Sequence, residues 1–382
     1  MKFIAALCVA LCAFAGAASA QSFPGELPPG GILCNPSSAT GAAPAQPCTP
    51  LQVGLTSGLG AFGGRITPSS GVCAPVSDAA AATTIYYAPC GLGETVPIYN
   101  GSNVQAYQFT SGPTDTVGLS LALGSNWSAN TIYDVFVGLN SGTVTLGTGP
   151  AWSNSGAGTS TRGTGSGTTQ LALYDGIWTN AVSITLRYSN SATFTCPANQ
   201  CTYLGSFVTN GTAGEVDLKF GTSAAGGGTA CLCIWNLYNQ IQARVRVADS
   251  NGTNTTGSSW RPYLNDSGNA INFLNGMQLN GFIATISGAF SLPNAVGSTG
   301  RIGTALNSST PSTPDCQTNS ITDQTTTSLG VAPTIAGSCP YAAQFGYNTL
   351  YLLEGSAGTA PTTVGGSGLG PYFQFLTATM WW

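Results

Sequence analysis

Residues 131–143 read TIYDVFVGLNSGT, an alternating run that ends in a Ser-Gly turn signal. The apolar positions of this run are two residues apart: Tyr133, Val135, Val137 and Leu139. Successive side chains of a strand point to opposite faces of its sheet, so this spacing predicts a strand with one buried face and one wet face. The segment therefore favours an antiparallel sheet.

The same period of two recurs along the chain between NG, SG and GG turn signals. It is seen in residues 117–123, 182–188, 215–220 and 241–247. A further alternating run, residues 373–382, predicts a strand tucked into a sheet, although a free edge there would suit strand addition between subunits. We therefore predict an all-β fold, an antiparallel, jelly-roll-like β-sandwich with long Gly/Ser-rich loops.

The chain divides into three predicted regions. Residues 1–20, MKFIAALCVALCAFAGAASA, have the short basic start, apolar run and small-residue cleavage site of a signal peptide. Residues 21–63 are rich in proline and predict an extended, disulfide-bearing arm. Residues 64–382 are assigned to the β-sandwich domain, with a loop-rich insertion near 291–345.

The charge composition excludes several classes of function. The 382 residues include no histidine, nine basic residues and thirteen acidic residues. Without imidazole there is no general base near neutral pH and no histidine ligand, so we predict a non-enzyme without cofactor or metal. Sparse Lys and Arg predict no nucleic-acid binding. No later apolar run is long enough for membrane insertion, so we expect a secreted, extracellular protein.

Ten cysteines follow the predicted signal peptide, an even number that favours disulfides in an oxidising compartment. Their spacing predicts four local bridges: Cys34–Cys48, Cys73–Cys90, Cys196–Cys201 and Cys316–Cys339. Cys231 and Cys233 are left over, and in a strand they are too close in sequence to bridge easily. We expect one or both to reach the Cys196–Cys201 hairpin. Four thiolates at a zinc site are the alternative.

Aromatic and basic side chains supply the candidate ligand-binding residues. Four tryptophans lie in or beside Gly/Ser/Asn-rich loops, where they would either stack on sugar rings or cover the ends of the sandwich: Trp127, Trp152, Trp178 and Trp260. Arg244 and Arg246 follow Trp235 and Tyr238, an arrangement that would clamp a sugar or a carboxylate. The alternative for both arginines is an exposed charge satisfied by Asp217 or Asp249.

Two carboxylates offer a catalytic function as the alternative to binding. Glu215 and Asp217 share one strand face, which places their carboxylates about 7 Å apart, within the range that glycoside hydrolysis uses. The simpler interpretation is a solvated face that Lys219 continues. Asp134 and Asp175 are further candidates, and Tyr174-Asp175-Gly176 first predicts a turn.

Seven ordered blocks of sequence carry a resemblance to a known group. They are GRIT at 64–67 with SGV at 70–72, TTIYYAP at 83–89, VPIYNGS at 96–102, YDVFV at 133–137 with NSGT at 140–143, YLGSF at 203–207, IWNLYN at 234–239, and YLLE at 351–354. In this order they resemble structural proteins of tailed bacteriophages and gene-transfer-agent-like particles, described as tail-fibre or spike proteins.

The resemblance implies a β-rich virion or surface module that self-associates and binds a receptor. It carries no catalytic residues. The chain departs from the group in its export signal and in Cys201, Cys231 and Cys233, where the group has basic or aromatic residues. These departures favour an exported relative on a cell surface or in an extracellular assembly.

Three functional hypotheses follow from these observations. The first is a secreted, non-enzymatic, oligomeric module of the phage-fibre or spike kind, with receptor or glycan binding through its loops and cell-surface glycans or other surface proteins as partners. The second is a subunit of an extracellular filament or coat. The third is a two-carboxylate carbohydrate-active enzyme.

Overall fold

The structure, a computed structural model, describes residues 62–90, 94–112, 114–221, 230–249, 258–291, 299–318, 334–357 and 374–382, with short strands at 32–34, 46–48, 254–255, 321–322 and 363–364. The predicted signal peptide lies outside these residues. Two compact units are present, residues 1–59 and 60–382.

The strands of the first half of the chain are short, with two long exceptions. They are β1 (Ile32–Cys34), β2 (Gln46–Cys48), β3 (Gly64–Thr67), β4 (Ala79–Ala82), β5 (Thr84–Pro89), β6 (Thr95–Tyr99), β7 (Val104–Gln108), β8 (Leu119–Ala122), β9 (Ile132–Asn140), β10 (Thr143–Ala151), β11 (Leu171–Tyr174), β12 (Ile177–Asn180), β13 (Ile184–Arg187) and β14 (Thr193–Cys196).

The second half adds longer strands and one 3-10 turn at Tyr263–Asn265. Its strands are β15 (Thr202–Val208), β16 (Val216–Lys219), β17 (Ala230–Leu232), β18 (Ile234–Asn236), β19 (Gln242–Asp249), β20 (Asn254–Thr255), β21 (Arg261–Pro262), β22 (Ala270–Asn275), β23 (Phe282–Ser291), β24 (Thr299–Leu306), β25 (Cys316–Gln317), β26 (Ile321–Thr322), β27 (Thr334–Tyr341), β28 (Gly346–Ala357), β29 (Thr363–Val364) and β30 (Gln374–Trp381).

These strands form three large sheets in the second unit. The first sheet has the order β11-β12-β15-β9-β10-β13-β14, with β18 beside β15. The second has the order β25-β24-β28-β22-β17-β16-β4, with β21 beside β28 and β26 beside β24. The third has the order β19-β30-β23-β29-β20, with β27 beside β23. Apart from the parallel pair β17–β22, the described pairs in these sheets are antiparallel, and the predicted all-β, antiparallel class is confirmed.

Apolar faces pack between sheets as a sandwich requires. One core joins the second and third sheets, where Ile271 and Leu350 meet Ile286 and Leu376. Another joins the first sheet to a small sheet of β3, β5 and β8. Burial of such residues is the main favourable term in folding, about 25 cal/mol per Å² of apolar surface.

The five internal alternating runs of the sequence correspond to β8, β9, β13, β16 and β19, so those predictions are confirmed. The final run is β30, which pairs with β19 on one side and β23 on the other. It is therefore tucked into a sheet and has no free edge. The region near 291–345 contributes β24 and β27 to the second and third sheets.

Strand β9 differs from its prediction, because both of its faces are buried from Ile132 to Gly138. One face packs in the core beside the small sheet, through Val135 and Val137. The other face, with Phe136, packs in a further core on the opposite side of the first sheet. The expected wet face does not exist, and Asp134 is fully buried.

Three predicted disulfides are present: Cys73–Cys90, Cys196–Cys201 and Cys316–Cys339. The side chains of Cys34 and Cys48 lie outside the described residues, although their strands pair. Disulfides are compatible with an extracellular protein.

The expectation for Cys231 and Cys233 is wrong, because they bond to each other. Cys231 belongs to β17 of the second sheet, and β18 of the first sheet begins just after Cys233. The chain bends as it changes sheets, which brings the two Cα atoms to 5.2 Å. Both cysteines still pack in one core with Cys196 and Cys201.

Candidate functional site

Three of the four candidate tryptophans are buried, so of the two alternatives that the sequence offered, stacking on sugar rings is wrong for them. Trp127 has 0% of its surface exposed, and its indole N–H donates to Thr148 Oγ1 at 3.0 Å. Trp152 and Trp260 are 4% and 7% exposed. In each case the large ring points inward although it lies in or beside a polar loop, and its burial stabilises the sheets. Trp178 is half-buried and reaches the surface.

The predicted arginine clamp is not assembled. Arg244 is exposed on β19 of the third sheet, whereas Trp235 is buried in a core of the first sheet. Arg246 is half-buried, with its guanidinium 5.0 Å from the Phe375 ring centre. Asp217 pairs with Lys219 rather than with either arginine, and the Asp249 side chain lies outside the described residues. The strand pattern placed these residues correctly, but the fold separates them.

The centre of the first sheet contains an ion pair that joins Asp134, a candidate from the sequence, to Arg162, which the sequence did not indicate. Arg162 Nε donates to Asp134 Oδ2 at 2.6 Å, and its NH2 group donates to Oδ1 at 3.1 Å and to the Tyr203 hydroxyl at 2.9 Å. Thr169 and Ser206 donate to the same carboxylate at 2.7 and 2.6 Å. Asp134 is thus fully hydrogen-bonded, as a buried charge must be.

The electrostatics of this group match a closed ion pair. Burial is the largest single effect and lowers the pKa of Arg162, but the charges of Asp134 and Tyr203 and the hydrogen bonds to them together outweigh burial and leave the pKa above its ordinary value. Burial also raises the pKa of Tyr203. With raised pKa values, Arg162 and Tyr203 keep their protons near neutral pH. The ion pair holds the centre of the sheet together.

Aromatic rings cover this ion pair on its outer side. The Arg162 guanidinium lies 4.4 Å from the Trp152 ring centre and 5.4 Å from that of Phe345. Trp152 and Phe345 stack with centroids 5.2 Å apart and planes 18° apart. Phe345 is 36% exposed, so this stack carries an aromatic surface from the core to the solvent.

A shallow depression of about 390 Å³ opens beside this stack, and we call it the aromatic dish. Its apolar lining consists of Leu171, Trp178, Met277 and Phe345. Two amides, Gln170 and Gln278, also line it, together with the Arg162 guanidinium.

A tight hairpin positions Trp178 in the dish. Asp175 and Gly176 have φ values of 46° and 82°, and Trp178 pairs with Leu173 across the hairpin. Positive φ at both central positions is the type I′ geometry that suits the twist of a two-residue hairpin. Asp175 is therefore a turn residue, as the sequence predicted. The Trp178 backbone N–H donates to the Tyr238 hydroxyl at 3.4 Å, which ties the hairpin to the adjacent loop.

The amides of the dish have unused hydrogen-bonding capacity. Gln170 Oε1 accepts from the Gly165 N–H at 2.8 Å, and its Nε2 donates to no partner in the described part of the chain. Gln278 Nε2 donates to the Ala343 carbonyl at 2.9 Å. An aromatic floor with amides beside it suits a ring that is apolar on its faces and polar at its edge. A sugar has that character.

The two carboxylates of the catalytic hypothesis lie elsewhere. Asp217 lines a cavity of about 580 Å³ with Lys219 and the Cys231–Cys233 disulfide. Burial raises the pKa of Asp217, but hydrogen bonds from the Ala81 N–H and Lys219 prevail and lower it overall. The Asn210 amide lies 3.5 Å from Glu215 and 3.3 Å from Asp217. Asp217 thus joins β4 to β16, and its ionised state does not suit a general acid.

Several residues of the dish were missed by sequence reasoning. Arg162 lies in a Gly/Ser-rich loop, 28 residues from its partner Asp134. A single arginine in so uncharged a loop is a usable signal, since it needs a partner. Met277 and Phe345 lie in loops beside β22 and β28 and show no local pattern that marks them.

The described part of the chain has neither a cluster of metal ligands nor a membrane-spanning helix. No three His, Cys, Asp or Glu side chains are grouped there in a way that would hold a metal ion. No helix in that part of the chain is long and apolar enough to cross a membrane.

Comparisons with known proteins give no family. No family model matches the chain, and no curated protein matches it either. Among solved structures, insecticidal δ-endotoxin Cry8Ea1 of Bacillus thuringiensis aligns at TM-score 0.19 and 10% identity, over 91% of this chain and 59% of the toxin. The mosquito-larvicidal Cry4Aa toxin of the same species aligns at 0.18 and 8%, over 78% and 48%. The chain thus spans about half to three-fifths of these toxins, and scores this low define no common fold.

Proposed function

We propose that this protein is a secreted, non-enzymatic surface module that binds glycans through the aromatic dish. The observation that carries the proposal is the dish itself, where Trp178 and Phe345 reach the surface beside the amides of Gln170 and Gln278. Oligomeric assembly, the phage-fibre or spike-like role and export belong to the same proposal. They are supported by the ordered sequence blocks, the predicted signal peptide and the disulfides.

The arrangement of the dish supports binding rather than turnover. Its lining residues include no carboxylate, and Asp134, which pairs with Arg162 of the lining, is fully buried. The rigid core under Phe345 orders one of the aromatic rings before any ligand arrives, which lowers the entropic cost of binding.

The test is a glycan array probed with the wild-type protein and with Trp178→Ala and Phe345→Ala. We expect the wild type to retain a defined set of glycans. Loss of either ring should weaken retention about fivefold to thirtyfold, which corresponds to about 1–2 kcal/mol of lost contact.

The matched control is Trp381→Ala, since Trp381 is 41% exposed but does not line the dish. It should bind as the wild type does. The proposal is contradicted if the wild type retains no glycan, or if all three variants lose retention equally.

Assembly has its own measurement. Light scattering of the purified mature protein should show discrete oligomers of defined mass. A stable monomer at micromolar concentration would contradict the oligomeric part of the proposal and leave the glycan part standing.

A further inference from the structure

A second cavity, of about 1000 Å³, lies on the outer face of the second sheet, and we call it the arginine cleft. Trp260 lies across this face, packed with Ala305 and Leu353. Gly355 permits that packing, because a Cβ atom there would lie 3.1 Å from the Trp260 ring. The ring thus forms a fixed wall.

Arg301 extends from β24 along this wall. Its guanidinium lies 5.2 Å from the Trp260 ring centre, and its NH2 group donates to the Ser356 carbonyl at 2.7 Å. Its Nε is buried and has no hydrogen-bond partner. No carboxylate of the described residues forms an ion pair with it. The cation is therefore positioned but not neutralised, an arrangement that favours an external anion.

A second guanidinium lies in the same cleft. Arg261 Nε lies 2.8 Å from Glu354 Oε1 in an ion pair, and Glu354 is completely buried. The cleft lining contains both arginines and no Asp or Glu, and among the described residues only Arg261 of the two has a carboxylate partner. A local positive charge results, in a protein whose net charge is −4.

The remainder of the lining is rich in hydroxyl groups. Exposed serines and threonines come from the segment before β21 and from the loop between β24 and β25: Ser258, Ser259, Thr310, Ser312 and Thr313. Hydroxyl groups both donate and accept, so they match the hydroxyl groups of a sugar. Arg65 differs from Arg301. It also has no carboxylate partner among the described residues, but it is fully buried and donates to the carbonyls of Cys73 and Trp382.

We infer that the arginine cleft binds a saccharide that carries a carboxylate, such as a uronic acid or a sialic acid. The planar guanidinium of Arg301 matches a carboxylate, and the hydroxyl-rich rim takes the sugar ring. The inference extends the proposed glycan binding to a second site, and the two sites fail or succeed separately.

The test is titration calorimetry with tetragalacturonate and sialyllactose, each against its uncharged methyl ester. The wild type should bind at least one acid, more weakly at high salt, and bind its ester at least about tenfold more weakly. Arg301→Gln should weaken binding of the acid at least about tenfold, and Arg301→Lys should give an intermediate loss.

The matched control is Arg187→Gln. Arg187 also lies over a tryptophan, 5.9 Å from the Trp127 ring centre, and donates to a carbonyl, that of Asn190, but it lines no part of the cleft. It should change the affinity by no more than about twofold, the loss of a distant, screened charge. Equal losses in Arg187→Gln and Arg301→Gln, or no binding of either acid, overturn the inference.

Two further measurements show which anionic group is recognised and which of the two sites binds it. A sulfated galactose tetrasaccharide without carboxylates should bind more weakly than the acids, and equal binding overturns the carboxylate assignment. Trp178→Ala should keep its affinity for the acid. If the acid is lost in Trp178→Ala but kept in Arg301→Gln, the anion is bound at the aromatic dish and the inference is wrong.

Discussion

Arg162 and Arg301 both lie against tryptophan rings, yet their surroundings differ. Arg162 lies 4.4 Å from the centre of Trp152, in the core of the first sheet. Arg301 lies 5.2 Å from the centre of Trp260, on the outer face of the second sheet. The first is closed by the carboxylate of Asp134, whereas the second has no carboxylate partner among the described residues.

The difference teaches how to separate a structural cation from a binding one. Arg162, Thr169 and Ser206 all donate to Asp134, so every charge in that group is matched inside the protein. Arg301 donates to one carbonyl and keeps a buried Nε without a partner. Stacking on tryptophan is common to both and does not by itself indicate a ligand. A cation that has no carboxylate partner among the described residues and also lines an open cleft, as Arg301 does, is the better indication of a ligand.

The largest effect is expected at the ion pair between Asp134 and Arg162, the structural arginine of the comparison. Asp134→Asn leaves Arg162 almost buried and unneutralised, so the free energy of unfolding should fall by about 3–5 kcal/mol. Urea denaturation followed by circular dichroism measures it. Asp175→Asn, at an exposed turn, is the control and should change stability little. A loss below about 1 kcal/mol in Asp134→Asn would show that the pair is not structural.

A smaller effect comes from the wall of the arginine cleft. Gly355→Ala places a Cβ atom 3.1 Å from Trp260, and the ring, held by Arg301, has little room to move. We expect a loss of about 1–2 kcal/mol in stability together with weaker binding of the acid sugar. Gly211→Ala is the matched control, because a Cβ atom there meets nothing within 4 Å. Equal stability of the two variants contradicts the packing described for Trp260.

The pH dependence of stability tests the environment of Glu354, the carboxylate that pairs with Arg261 of the arginine cleft. Burial raises the pKa of Glu354 and outweighs the N–H of Leu264 and the charge of Arg261, which lower it. The folded protein therefore holds this proton more tightly than the unfolded chain does. Its contribution to stability is fully present below about pH 4.3, the usual glutamate value, and is lost as the pH rises through the raised pKa.

Glu354→Gln cannot titrate, so this step should be missing from its stability curve. Thermal unfolding of the wild type and the variant across a pH series measures it. Identical slopes above pH 4.3 in both proteins would show that Glu354 is not the titrating group.

The sequence predicted where the strands lie better than which of their faces are buried and which residues they contact. Period-two alternation located β9 and β19, but it described β9 as half-buried because Asp134 reads as a wet position. Its burial depends on Arg162, 28 residues away in a glycine-rich loop. Cys231 and Cys233 were similarly misjudged, since only the change of sheet between β17 and β18 brings them together.

The sites were harder to predict than the fold. Of the tryptophans that the sequence singled out, Trp178 is half-buried and lines the aromatic dish, whereas Trp127 looked identical in sequence and is buried against Thr148. Arg301 stands between glycines in a strand, with no charged neighbour to draw attention to it. Whether a ring or a cation reaches the solvent is decided by the packing of distant strands, which local sequence does not encode.

Urea denaturation of Arg162→Gln and Arg301→Gln, side by side, tests the central claim most directly. Arg162→Gln leaves the buried Asp134 without its cation and should lose about 3–5 kcal/mol. Arg301→Gln removes one stacking contact of a half-buried cation that has no carboxylate partner among the described residues, and it should lose less than about 1 kcal/mol. Equal losses, or a larger loss in Arg301→Gln, would contradict the division between a structural arginine and a binding arginine.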